Sequence, residues 1–339
     1  MRYVEVTPGA VDVCEGPPAA LGEGLARVRV RACGICGSDA HLVRGMRLPR
    51  GVTYPVRPGH EVAGEVLEVG PGAHGLTPGL EVVLHLLDPC GHCRQCLAGH
   101  EQQCRDARVL GLHTAGGMAD EVVWPAHRIV PAPGLDPAAA ALLPDAVATA
   151  YHAVRLAELP ARGRLCVLGA GGVGTHVLEL ARVLHPHLQV AAVVRSEESA
   201  HRLEPMGVLA VRGLQGAAER VRGEIGRCDA VVDFSGAASG PAEAVRMLDV
   251  GGQLVLGSVV DEPIDLGTTI TGITTRSLKV LGCYTSTLED LRESVALAVA
   301  GRLDLTGTVS RRLPLAEAAA AFRMLDERPP GLVRLVLEP

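Results

Sequence analysis

From Arg27 to Ala32 the chain alternates arginine with small apolar residues, the period-two pattern of a half-buried strand. Glu61–Val69 and Glu81–Leu86 carry similar patterns, and Pro71-Gly72 and Pro78-Gly79 break them with turns. The chain to about Pro144 therefore reads as β-rich. An alanine-rich stretch at Ala138–Ala141 predicts the start of a helix leading into a second domain. From about Val147 the texture changes. Arg164–Leu168 is a short apolar run, Gly169–Gly174 a turn, and Val173–Leu184 has helical periodicity ending at His185-Pro186. Gln189–Val194, Asp229–Phe234 and Gly252–Gly257 predict further buried strands. Strands alternating with helices imply a doubly wound parallel sheet. Beyond Tyr284 come two helical segments, Leu288–Ala300 and Leu315–Asp326, then an apolar strand at Leu332–Leu337. The pattern predicts an α/β domain at 147–284 inserted into a discontinuous β-rich domain of 1–146 and 285–339, with a ligand site in the cleft between them.

Composition narrows this picture. A chain of 339 residues suits about two domains, and 47% hydrophobic residues suffice for sizeable cores. Aromatics are only 2%, so those cores are built from Ala, Val and Leu. A net charge of -6 argues against a nucleic-acid partner, which calls for a basic patch. The N-terminus has no apolar signal core, and no run approaches the roughly 18 apolar residues of a membrane span. The expectation is a soluble, cytoplasmic protein. In a reducing compartment the ten cysteines read better as metal ligands than as disulfides.

Four of them, Cys90, Cys93, Cys96 and Cys104, lie close enough to close around one tetrahedral zinc ion. Such a site leaves no open position, so its role is structural. A second constellation, Cys36 with His60 and Asp145, supplies three ligands and leaves one position free, as a catalytic zinc requires. Glu61 competes with Asp145 as third ligand, or acts from behind the ligands. Cys33 reads as a packed thiol. Ser38 and His41 suit a proton relay, a hydroxyl near the reacting alcohol and an imidazole to deliver its proton to water. Ser38 also qualifies as a helix N-cap.

Gly169-Ala170-Gly171-Gly172-Val173-Gly174 fits G-x-G-x-x-G between a strand and a helix, the pyrophosphate-binding turn of a dinucleotide fold. After the next strand an acid would hold the ribose 2′-hydroxyl of NAD. This chain has Val194, Arg195 and Ser196 there, and Arg195 suits a 2′-phosphate. NADP(H) is therefore favoured, with NAD(H) the alternative.

Taken together, the four-cysteine spacing, GICGSDAH, GHE and GAGGVG, in their order, resemble the zinc-containing medium-chain alcohol dehydrogenase family over essentially the whole chain. That resemblance implies a Rossmann domain inserted into a GroES-like catalytic domain, and two zinc ions per chain. Asp145 stands in LPDAVATAYHAV, similar to the segment in which some members carry Asp as third ligand. Arg334 resembles an arginine that touches the cofactor pyrophosphate. Gly37 departs from members that carry a basic residue at that position. Tyr54, Leu86 and Trp124 are candidate substrate-pocket walls. The implied reaction interconverts an alcohol and an aldehyde or ketone. The alternatives are an NAD-dependent polyol or sugar dehydrogenase and, more remotely, a non-catalytic zinc- and nucleotide-binding sensor. The resemblance also implies a homodimer or homotetramer, a small-molecule substrate, and neither nucleic acid nor membrane as partner.

Overall fold

The computed structural model describes every residue except 328 and 330. The chain divides into two units, Met1–Ala148 with Ser286–Pro339, and Thr149–Thr285.

The first unit begins with a hairpin of β1 (Arg2–Thr7) and β2 (Ala10–Glu15). Next comes β3 (Leu25–Ile35), in which Ala26, Val28, Val30 and Ala32 point into the core while Arg29 and Arg31 face solvent. Helix α1 (Gly37–Val43) follows it directly. β4 (Glu61–Val69) pairs antiparallel with β3, and β5 (Glu81–Leu84) with β4. Two short strands, β6 (Leu87–Asp88) and β7 (Arg108–Val109), close the base of a lobe that carries α2 (Arg94–Leu97) and the four cysteines. β8 (Glu121–Pro125) pairs with β3 and β9 (Ile129–Pro131) with β5. After α3 (Pro137–Ala140) the predicted alanine helix does not run on unbroken. A π-helical turn at Leu143–Val147 intervenes before α4 (Ala148–Leu156). Pro144, which lacks an N–H, and the wider turn re-aim the side chain of Asp145; such π-turns are frequent at functional sites.

In the second unit β10 (Arg164–Leu168), α5 (Gly174–Leu184), β11 (Gln189–Val194), α6 (Glu197–Leu203), β12 (Leu209–Arg212) and α7 (Ala217–Ile225) make one half. The other half is β13 (Cys228–Asp233), α8 (Gly240–Met247), β14 (Leu248–Leu256), α9 (Ile270–Arg276) and β15 (Lys279–Gly282). All six strands are parallel in the order β12-β11-β10-β13-β14-β15. The order reverses between β10 and β13, and such a switch point opens a crevice at the strands' carboxyl ends.

The chain then re-enters the first unit through α10 (Leu288–Val299), β16 (Val309–Pro314), α11 (Ala318–Glu327) and β17 (Arg334–Glu338). β17 pairs with β3 and completes the sheet β16-β17-β3-β4-β5-β9, so the two ends of the sequence share one core. The helix expected from Leu315 starts as a 3-10 turn, and the α-helix proper begins at Ala318. Among the described residues no helix is long and apolar enough to cross a membrane.

Candidate metal centres and active site

The lobe cysteines converge. Their sulfur atoms all lie within 4.8 Å of one another, with Cys93–Cys96 at 3.5 Å and Cys90–Cys96 at 3.9 Å. Four sulfurs tetrahedral about zinc, at about 2.3 Å each, stand about 3.8 Å apart, so the cluster has the size of a zinc thiolate site. All four thiols are free. The Cys96 amide draws the Cys93 thiol down to about 7, which favours the thiolate a metal needs.

A second cluster gathers Cys36, His60, Glu61 and Asp145, again within 4.8 Å. They come from three places in the chain: Cys36 just after β3, His60 just before β4 with Glu61 at its start, and Asp145 from the π-turn. Asp145 Oδ2 is 3.4 Å from both Cys36 Sγ and His60 Nε2. Those separations match the edges of a tetrahedron about zinc, which for mixed sulfur, nitrogen and oxygen ligands are about 3.4–3.6 Å. Burial raises the Cys36 thiol, and the Asp145 charge raises it further. For His60 burial favours the neutral ring, but Asp39, Asp145 and Cys36 outweigh it and raise the imidazole well above its usual value. An anionic cluster that attracts a proton so strongly would equally attract a divalent cation, which leaves the thiol ionised.

Glu61 differs from the other three in having a basic partner. Its carboxylate accepts from Arg334 in a buried ion pair, leaving Oε1 and the Arg334 Nε without protein partners. A Cβ at Gly34 would overlap that carboxylate, so glycine at 34 is what gives Glu61 its room. Burial raises the Glu61 carboxyl, and Arg334 opposes the rise. Arg334, which the resemblance puts at the cofactor pyrophosphate, is 5% exposed and pairs with an acid two strands away in the same sheet.

Sequence reasoning passed over Asp39. It is buried, its Oδ2 accepts from the Cys36 amide at 2.9 Å, and its Oδ1 lies 3.7 Å from His60 Nδ1. The residue therefore caps α1 and faces the histidine at once. The capping-box spacing from Cys36 to Asp39 was the available signal. Cys36 is the N-cap residue, so Ser38 is not; Ser38 lies in the first turn, exposed, with His41 exposed three residues on. Cys33 is fully buried, its thiol turned to the Gly34 carbonyl. Trp124, 1% exposed, packs in the unit-one core and donates to the His85 carbonyl at 2.9 Å. Leu86 is likewise buried, and the Tyr54 hydroxyl donates to the Leu42 carbonyl at 2.9 Å.

In the second unit the glycine turn joins β10 to α5. Gly169 has φ +86°, open to glycine, and a Cβ on Gly174 would overlap the Gly169 carbonyl. Over Gly171 there is open space, so a phosphate could approach the backbone closely. Gly172 and Val173 complete the turn, with Val173 as the N-cap residue of α5. Val194 is buried, while Arg195 and Ser196 are exposed, and the Ser196 side chain caps α6. Arg212, missed in the sequence because β12 has no clear alternation, stands in register with Val194. Its guanidinium bonds Glu197 at 2.8 Å, placing a second arginine at the same turn.

Residues 22–134 match the family model described as the alcohol dehydrogenase GroES-like domain, and residues 172–300 match that of the zinc-binding dehydrogenases. The chain is 30% identical to the 2-dehydro-3-deoxy-L-galactonate 5-dehydrogenase of Pseudoalteromonas atlantica, covering 96% of this chain and 95% of the relative. It is 29% identical to an alcohol dehydrogenase of Geobacillus stearothermophilus, covering 98% and 97%. A crystal structure of a putative zinc-binding dehydrogenase from Sinorhizobium meliloti, bound to NADP, superposes with a TM-score of 0.89 at 29% identity, covering 100% of this chain and 99% of the other.

Proposed function

The chain belongs to the zinc-containing medium-chain dehydrogenase/reductase family, and from that premise we propose a two-zinc dehydrogenase that uses NADP(H) to interconvert an alcohol and an aldehyde or ketone. The observation that carries this reading is the convergence of Cys36, His60 and Asp145 on one point, with Glu61 beside them and one of its oxygens paired with Arg334. Three donors leave one position for substrate, the arrangement of a catalytic zinc. The four cysteines hold a second ion with no position free.

Cys36, His60 and Asp145 would hold a zinc ion, which would supply Lewis-acid polarisation of the substrate oxygen, and the glycine turn would hold the pyrophosphate of a nicotinamide cofactor, which would supply hydride chemistry. The chain's own residues do the rest. Asp39 favours a proton on His60 Nδ1, which leaves the Nε2 lone pair for the metal. Ser38 takes the alcohol proton at Oγ as it releases its own hydroxyl proton toward His41, which, on the solvent side of α1, passes a proton to water. Arg334 opposes the rise that burial gives the Glu61 carboxyl and holds one of its oxygens. Arg195, with Arg212 beside the same turn, favours a 2′-phosphate over the bare ribose of NAD.

A polyol or sugar-acid substrate is the second reading, favoured by the relative from Pseudoalteromonas atlantica. Initial rates over primary, secondary and polyhydric alcohols and sugar acids, each with NAD+ and NADP+, test both. Turnover with NADP+ preferred supports the cofactor assignment, and the best substrate names the class. A clear NAD+ preference overturns the role of Arg195 and keeps the enzyme. No turnover in protein shown to hold two zinc ions per chain overturns the catalytic reading.

A further inference from the structure

The four-cysteine lobe has almost no core of its own. Between β6 and β7 only Gln102 and Cys104 are buried, and the rest is partly or fully exposed. Hydrophobic burial cannot hold such a loop in one conformation. Its base is closed by the β6–β7 pair and an Arg108–Asp88 salt bridge. One further side chain of the lobe, Glu101, reaches into the main body of the unit.

Glu101 lies three residues before Cys104, and its carboxylate takes three donors. Arg128 Nη1 donates at 3.0 Å, Arg128 Nη2 at 2.8 Å, and the Leu288 amide, the first N–H of α10, at 2.6 Å. Two-pronged pairing of this kind is strong and geometrically exact. Arg128 is 3% exposed, and its Nε donates to the Leu87 carbonyl at 2.8 Å. Its Nη2 also lies 2.7 Å from His85 Nδ1, while His85 Nε2 is 3.2 Å from the Ser286 carbonyl. Arg128 can donate to Nδ1 only if His85 is neutral with its proton on Nε2, and Nε2–H then donates to Ser286. Burial, reinforced by the Arg128 charge, pushes His85 down to about 4, consistent with that form. Glu101 is the acid that compensates the buried Arg128.

We propose that Glu101 is a latch joining the metal-bound lobe to the start of α10, so that metal affinity at the four cysteines and the order of the α10 N-terminus depend on each other. The proposal rests on the reading that the four thiols hold zinc. With the ion bound, the chain from Cys96 to Cys104 is fixed at both ends and Glu101 is presented to Arg128 and Leu288. Without it the segment loses that constraint, and Arg128 loses its carboxylate. Conversely, removing the carboxylate frees the lobe from the body, and the thiols pay the ordering cost of metal binding without the help of the Arg128 pair. Such coupling is reciprocal by necessity.

The test uses full-length protein reconstituted with Co²⁺, in which absorption from four-thiolate cobalt marks the lobe ion and distinguishes it from the ion at Cys36. Release of each ion to a competing chelator is followed in the parent and in Glu101→Gln and Glu101→Asp. The expected result is release from the lobe at least tenfold faster in Glu101→Gln, partly restored in Glu101→Asp, with release from the Cys36 site unchanged. Unchanged lobe release in folded Glu101→Gln overturns the latch while leaving the metal reading intact. No four-thiolate absorption in the parent overturns the metal reading, and the latch with it. Should Glu101→Gln not fold, hydrogen exchange of the parent decides. Removing the lobe ion must speed exchange at the Leu288–Leu291 amides relative to α11, and equal exchange overturns the latch.

Discussion

The two cysteine-bearing clusters of the first unit are built in opposite ways. In the lobe, all four donors come from one loop, all but Cys104 are partly exposed, and little apolar packing surrounds them. At the other cluster, Cys36, His60 and Asp145 come from three elements, and the sheet brings them together before any ion is considered. In the first case a metal would organise the chain; in the second the chain organises the metal. The difference teaches where each site's energy lies. An ion in a loop without a core contributes folding free energy. An ion among preassembled donors leaves its binding energy for substrate chemistry, and its surroundings, Asp39 and the Glu61–Arg334 pair, tune it.

The sharpest way to break this comparison is Cys36→Ser. Turnover is expected to fall by more than the roughly 10²–10³-fold that loss of one oxyanion-stabilising donor costs, with thermal stability close to the parent's. An unfolding scan beside the rate assay checks it, and a large stability loss would show that this site too holds the fold. Cys93→Ser should do the reverse. Stability is expected to drop by about 2 kcal/mol or more, roughly 4–8 °C in the melting temperature. Residual turnover per folded molecule should stay near normal, and a mutant as stable as the parent would remove the contrast. Asp39→Asn keeps an acceptor for the Cys36 amide but removes the charge facing His60. It should lower metal affinity or kcat/KM by about 10–100-fold at this site alone, as metal titration with activity would reveal. The smallest effect sharpens the comparison by touching neither cluster. Arg195→Ala should weaken NADP(H) binding about tenfold and leave NAD(H) nearly unchanged, measured by fluorescence titration with each reduced cofactor.

Legibility in the sequence followed the same divide. The lobe announces itself because its donors share one short stretch, and G-x-G-x-x-G does so because a phosphate turn is a local backbone problem. The α/β class is equally plain, since alternation in β3 and helical periodicity in α5 are local patterns. The second cluster is harder. Cys36 and His60 stand out only inside GICGSDAH and GHE, and the sequence leaves Asp145 and Glu61 as rivals. What distinguishes them is long-range: β17 lies beside β3, so Arg334, 273 residues away along the chain, reaches Glu61 and pairs with one of its oxygens. Arg334 was placed at the cofactor by the resemblance alone, and no local pattern pointed to its pairing with Glu61. Asp39 and Arg212 were passed over because neither stands in a motif that marks it, and each acquires its partner through the fold.

The sequence by itself determined the alternation of buried and exposed positions, the glycine turn, and the four-thiol spacing, because each depends on neighbours a few residues apart. Only the tertiary structure decided that Asp145 meets Cys36 and His60, that Arg334 pairs with Glu61, and that Glu101 of the lobe reaches Arg128 and the first amide of α10. Those choices are made by charges that are costly to bury alone. A charge of that kind is settled by whichever opposite partner the fold brings within reach, and no local pattern records that partner.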